Sequence, residues 1–314
     1  MSETLSRFEG ALVGLAVGDA LGMPAEGMFR DDISRMFAGG IGFLPDPRRG
    51  LAPGQWTDDT KMMLCHLESI LETGAPDGAD VARRFLDWLR SGDLRGIGRT
   101  TAQALERLAR GADWRDSGVG GRWAAGNGAA MRIAPVGLLF AFREGDIYDT
   151  VRDLSAITHD NEEAVAGAYV VAELVRRGGS GASAERFDEF LDGAIERVGG
   201  TLTAANLRKA RGFAADGTAP REALPALGVG GYVVESVAAA VYACLALGAD
   251  FDSMMRALLL AGGDTDTNAA MAGAIFGAWR GLQAVPETLR ETVEDGARIR
   301  ESAERLWRIA GGEK

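Results

Sequence analysis

The sequence predicts an all-α protein. Eleven segments repeat their apolar residues at the helical period, alternating strand-like segments are nearly absent, and no fixed-period repeat or low-complexity linker interrupts the chain. The 314 residues, 46% hydrophobic and 25% charged, suit one helical bundle around a single core, with residues 1–314 forming one domain.

The first helical segment, residues 10–21, lies in the stretch GALVGLAVGDALG, which sets Gly10, Gly14, Gly18 and Gly22 four apart on one face. An interior glycine costs about 1 kcal/mol relative to alanine, so a neighbour is expected to approach that face closely. Such spacing also marks membrane helix dimers, but this segment is short and contains Asp19, which favours close packing beneath a site. Residues 60–71 carry Met63, Leu67, Ile70 and Leu71 on one stripe. Residues 79–90, 99–110, 162–176, 186–198 and 204–214 follow at the same period, as do 233–247, 251–260, 267–283 and 286–309. Glycine-rich loops lie between them at 38–57, 117–135 and 227–232, where backbone amides can approach a ligand such as a phosphate.

Composition narrows the function. A net charge of −11 argues against broad nucleic-acid binding through phosphates. The longest apolar run, residues 237–247, is too short to span a bilayer, and the first residues do not resemble a signal peptide. Cys65 and Cys244 lack metal-ligand spacing, so reduced core thiols and a cytoplasmic location are expected. With only His66 and His159 present, a multi-histidine zinc site is excluded. His66 lies on the stripe side of its helix and reads as a core residue.

Residues 261–270, AGGDTDTNAA, place Asp264 and Asp266 two apart between an apolar run and a small-residue run. Carboxylates near an apolar interior repel and are costly to desolvate unless a cation or hydrogen bonds compensate. An EF-hand loop fits Asp264, Asp266 and Asn268 but fails at Ala269 and Ile275, where glycine and glutamate belong. A phosphatase-type aspartyl nucleophile is also a poor match, because Gly262-Gly263 intervenes and the flanks are helical. Helix capping by Asp264 or Asp266, and by Thr57 or Asp58 at the second acidic stretch TDDT, accounts for one side chain per helix. Together Thr57, Asp58, Asp59, Asp264, Asp266 and Thr267 form an all-oxygen donor set, which selects hard divalent ions. Four carboxylates exceed the charge balance of one such ion, so two ions are expected.

The stretches GALVGLAVGDALGMPAEG, GQWTDDTKMML, GNGAAMRIAPVGLL, THDNEEAVAGAY and GGDTDTNAAMAGAIFGA resemble, in order across residues 10–278, the ADP-ribosylglycohydrolases. That family includes the hydrolase that de-modifies dinitrogenase reductase and the eukaryotic ADP-ribosylhydrolases. The resemblance implies an orthogonal all-α fold with a two-metal centre, Mg²⁺ or Mn²⁺, at the base of a cleft. The six residues above would be the metal ligands, and Glu26 would approach the metals or gate the cleft. Gly126, Asn127, Gly128 and Met131 would hold ADP-ribose, with His159 near its phosphates. His159 also reads as part of a helix start, in Thr158-His159-Asp160-Asn161.

The implied reaction is metal-assisted hydrolysis at C1″ of ADP-ribose, with Asp58, Asp264 or Glu26 taking the proton of the attacking water. The acceptor would be a protein side chain such as arginine or serine. A small conjugate such as O-acetyl-ADP-ribose, or a non-catalytic ADP-ribose-binding module, are the alternatives. Arginine-type members of the family carry an aspartate in an Asp-Ile-Gly motif, where this chain has Gly96-Ile97-Gly98 with Asp93 nearby.

Overall fold

The computed structural model describes residues 2–313. Among them sixteen α-helices follow in chain order: α1 (Glu3–Gly22), α2 (Arg30–Met36), α3 (Asp58–Thr73), α4 (Gly78–Ser91), α5 (Arg99–Ala109), α6 (Ala134–Leu139), α7 (Tyr148–Ala156) and α8 (Glu162–Gly179), then α9 (Phe187–Arg197), α10 (Leu202–Ala215), α11 (Pro220–Leu227), α12 (Val233–Leu247), α13 (Phe251–Ala261), α14 (Thr265–Arg280), α15 (Glu287–Arg290) and α16 (Gly296–Ala310). The only sheet among the described residues is a parallel pair of two-residue strands, Val119–Gly120 and His159–Asp160. The all-α expectation holds.

Helix α1 is buried on every side from Arg7 onward and forms the axis of the molecule. It runs antiparallel to α14, and the glycine stripe explains how. A Cβ at Gly10 would lie 2.6 Å from the carbonyl oxygen of Gly277, at Gly14 2.4 Å from that of Gly273, and at Gly18 2.1 Å from that of Ala269. At Gly22 it would meet the Cα of Asp266 at 2.4 Å. The two backbones touch at four successive positions, an approach that only glycine allows. The last contact brings the end of α1 against the start of α14, where the DTDT motif lies. One continuous hydrophobic core surrounds this pair, drawing on α3, α6, α8 and α12. No single helix among the described residues is long and apolar enough to cross a membrane.

Two sequence expectations need correction. Residues 286–309 are not one helix: α15 and α16 are separated at Asp295, which has a left-handed φ of 58°. The Asp295-Gly296 pair is a turn signal inside an otherwise helical pattern. The break frees Glu294 to tie down the loop ahead of α3: its amide donates to Gly54 O (2.9 Å), and its carbonyl accepts from Trp56 Nε1 (3.0 Å). Helices α2, α6, α7 and α11 also escape the periodicity reading, since each has nine residues or fewer and shows no full stripe.

Candidate metal centre and ligand cleft

The TDDT stretch opens α3, and Asp19 of α1 holds it in place. The Asp19 carboxylate is fully buried and accepts from Thr57 N (3.0 Å), Thr60 N (3.0 Å), Thr57 Oγ1 (2.7 Å) and Thr60 Oγ1 (2.6 Å). It thus caps α3 from another helix, and its acceptor capacity is used up. Thr57 occupies the N-cap position without making a cap bond, and so does Asp264 at α14. Capping therefore does not account for these side chains. Asp19 went unassigned from sequence, although one acid within an apolar glycine helix was the available signal.

The glycines before DTDT shape the other half. Gly262 and Gly263 have φ of 77° and 74°, and a Cβ on Gly263 would strike the Val229 carbonyl at 2.4 Å. This turn sets Asp264 N on Val229 O (2.9 Å), with Asn268 Nδ2 on the same oxygen (2.9 Å). The loop at 227–232 is thereby pinned beneath the motif.

The two halves converge on a cavity of about 320 Å³. Of the residues expected from sequence, Glu26, Asp58, Asp59, Gly126, Asn127, Gly128, Met131, His159, Asp264, Asp266 and Thr267 line it. Thr57 does not; it lies behind, donating to Asp19. Carboxylate oxygens of Glu26, Asp264 and Asp266 lie within 4.8 Å of one another, as do those of Asp19, Asp59 and Asp266, so Asp266 is common to both groups. Asn127 Nδ2 donates to Asp264 Oδ2 (2.8 Å), joining the 117–135 loop to the cluster. A larger cavity of about 750 Å³ lies elsewhere, between Phe187, Leu245 and Trp279, and holds none of the expected residues. Chemistry, not size, selects the smaller one.

The electrostatics are lopsided. Burial, then Asp19 and Asp264, pushes Asp58 up to about 8. Burial, then neighbouring carboxylates, holds Asp59 and Asp266 well above the usual range. Asp59 Oδ1 is buried with no hydrogen-bond donor. A buried acceptor without a donor, in a hard-oxygen cluster of like charges, is what a divalent cation would compensate. The residues fit such an ion.

The histidines divide as their surroundings dictate. His159 sits so close to the loop that a Cβ on Gly128 would lie 2.7 Å from its Cε1, and Thr158 Oγ1 pairs with its Nδ1 (2.8 Å). Burial, and secondarily Arg132, lowers it to about 3, so it faces the cavity as a neutral ring. The helix cap beside it is Asn161, which accepts from Glu163 N and Ala164 N. His66 is a core residue, accepting from Arg132 Nε at 3.2 Å. Arg132, unassigned from sequence, is fully buried and also donates to Gly128 O (2.9 Å) and Leu154 O (3.1 Å), fixing the GNG turn from below. Sequence alone gave no sign that this arginine turns inward.

Gly96, where arginine-type members have aspartate, has no room for a side chain. Its φ is +77°, and a Cβ there would lie 2.6 Å from Asp58 Oδ1. Asp93 is exposed and paired with Arg95 (3.1 Å), outside the cavity lining. Arg99, at the start of α5, lines the cavity and has no ion-pair partner among the described residues.

The chain is similar in sequence and fold to known proteins over most of its length. An ADP-ribosylarginine hydrolase of Serratia proteamaculans is 33% identical, with 98% of this chain and 81% of that protein covered. The ADP-ribosylhydrolase ARH3 of Danio rerio is 31% identical, over 96% of this chain and 90% of that protein. A solved structure described as an ADP-ribosylglycohydrolase-related protein complex superposes with a TM-score of 0.73 at 32% identity, covering 99% of this chain and 100% of that one. Residues 1–314 match the family described as ADP-ribosylglycohydrolase, and the chain belongs to that family of hydrolases.

Proposed function

We propose that the protein is a cytoplasmic, single-domain, metal-dependent hydrolase that removes ADP-ribose from a modified acceptor. Water adds across the bond between C1″ and the acceptor: its hydroxyl goes to C1″, and its proton ends on the departing group. The observation that carries this reading is the buried Asp59 Oδ1 without a donor, in a cavity where both acidic stretches meet the GNG loop. Asp58, Asp59, Asp264, Asp266 and Thr267 would hold two ions, Mg²⁺ or Mn²⁺, with Thr57 behind them tying the start of α3 to Asp19 rather than reaching an ion. When bound, the ions supply the positive charge that orients the distal ribose hydroxyls and polarises the anomeric centre. Glu26, Asp58 and Asp264 line the cavity and are the groups available to take the water proton. Gly126, Asn127, Gly128 and Met131 would cradle ADP-ribose, with neutral His159 serving as a hydrogen-bonding wall rather than a charge.

The acceptor side supports a neutral linkage over a guanidinium. Gly96 offers no carboxylate, Asp93 is turned away, and the unpaired Arg99 would repel a second cation. Release of free ADP-ribose from ADP-ribosyl-serine, O-acetyl-ADP-ribose and ADP-ribosyl-arginine, with and without chelator, tests this. The serine or ester conjugate should turn over about tenfold faster than the arginine one, the size of one like-charge contact at a partly exposed site. Chelation should stop all three. Arginine turnover equal to the best substrate would overturn the acceptor assignment. No turnover of any conjugate would make the protein a binding module instead.

A further inference from the structure

We infer that Arg49 is a built-in counter-cation for the acidic cluster, holding part of the charge balance that a divalent ion takes over when it binds. Glu26, whose carboxylate lies within 4.8 Å of those of Asp264 and Asp266, is paired with Arg49 Nη2. Among the described residues no other carboxylate lining the cavity has an ion-pair partner; the neighbouring Arg132 donates to neutral acceptors. Arg49 does not depend on Glu26 for its position. Its Nη1 also donates to the buried Asp46 (2.6 Å) and to Met23 O (3.3 Å). Arg48 grips the same Asp46 (2.9 Å) and the carbonyls of Glu26 (2.9 Å) and Pro24 (3.0 Å). The guanidinium therefore stays at the rim while the Glu26 side chain, half-buried there, is free to exchange it for a cation. Burial pulls Arg49 towards neutrality, but Asp46, Glu26 and Asp266 outweigh that and keep it charged.

Removing a counter-cation and removing a purely structural arginine both lower metal-free stability, but only the former strengthens Mg²⁺ binding. Removing a counter-cation leaves the carboxylates repelling one another, so the metal-free protein loses stability, while a more negative site draws cations more strongly. The inference rests on the metal-centre reading and is tested by calorimetric titration with MgCl₂ alone, alongside melting curves with and without saturating MgCl₂. Arg49→Met should melt lower without metal and bind Mg²⁺ about five- to tenfold more tightly, the scale of one like charge removed several ångströms from a partly exposed site. Its melting deficit should shrink when Mg²⁺ saturates. Arg49→Lys, which keeps the charge but loses the fork, should bind Mg²⁺ within about twofold of the parent, since the Coulomb contribution is retained. An equal melting deficit with and without Mg²⁺, unchanged or weaker Mg²⁺ binding by Arg49→Met, or failure of that variant to fold even in saturating MgCl₂ would each overturn the inference. If the unmutated protein binds no Mg²⁺, the metal-centre reading falls as well, which separates the two failures.

Discussion

Asp266→Asn should leave the protein folded and, without metal, more stable than the parent, while turnover falls by more than ~100-fold, beyond what loss of an outer-shell partner of a metal site costs. Asp266 is the carboxylate common to both groups of converging oxygens and is nearly fully buried. Its carboxyl is held well above the usual range by burial first, then by Asp264, Glu26 and Asp59. A folded pKa raised above the unfolded value means the folded state binds the proton more tightly. The ionised form therefore opposes folding as pH rises past the unfolded value near ~3.9. Asparagine removes that opposition at neutral pH, and each kcal/mol relieved raises Tm by roughly 2–4 °C. If Asp266 were only a structural acceptor for Thr267 N (3.0 Å), asparagine would serve about as well and turnover would stay near normal. Melting of the metal-free variant and turnover in saturating metal distinguish the two cases.

Gly18→Ala should destabilise the fold by ~3 kcal/mol or more, at or beyond the upper end of ordinary overpacking. In an exposed helix the same change would be favourable by about 1 kcal/mol. Here the new methyl would lie 2.1 Å from the Ala269 carbonyl oxygen and 2.4 Å from its carbon, and a backbone cannot step aside as a side chain can. Helices α1 and α14 must separate, and they carry Asp19 and Asp266. Gly193→Ala in α9 is the control, since a Cβ there meets nothing within 4 Å and should be neutral or mildly stabilising. Denaturant unfolding of the two variants checks this; equal stability would mean the α1–α14 contact is far looser than described.

Long helices and both acidic stretches were legible in the sequence because each carries a local signature: a stripe at the helical period, or carboxylates beside apolar runs. The glycine stripe announced a close neighbour, and that neighbour is α14. What escaped was set by tertiary position. Asp19 supports α3 from another helix, Arg132 turns into the core to hold Gly128, and Arg49 reaches Glu26 across more than twenty residues of chain. None of these has a local pattern, because each partner is fixed only by the fold. Gly96 is similar: its sequence raised the question of the acceptor, and only its contact with Asp58 explains why no side chain stands there.

The central claim is that both acidic stretches together hold divalent metal. Elemental analysis of protein equilibrated with Mn²⁺ and freed of loosely bound ion measures this directly, in the parent and in Asp266→Asn. Two ions per chain are predicted for the parent and one or fewer for the variant, because the residue common to both groups has lost its charge. One ion or none in the parent, or an unchanged count in the variant, would contradict the account.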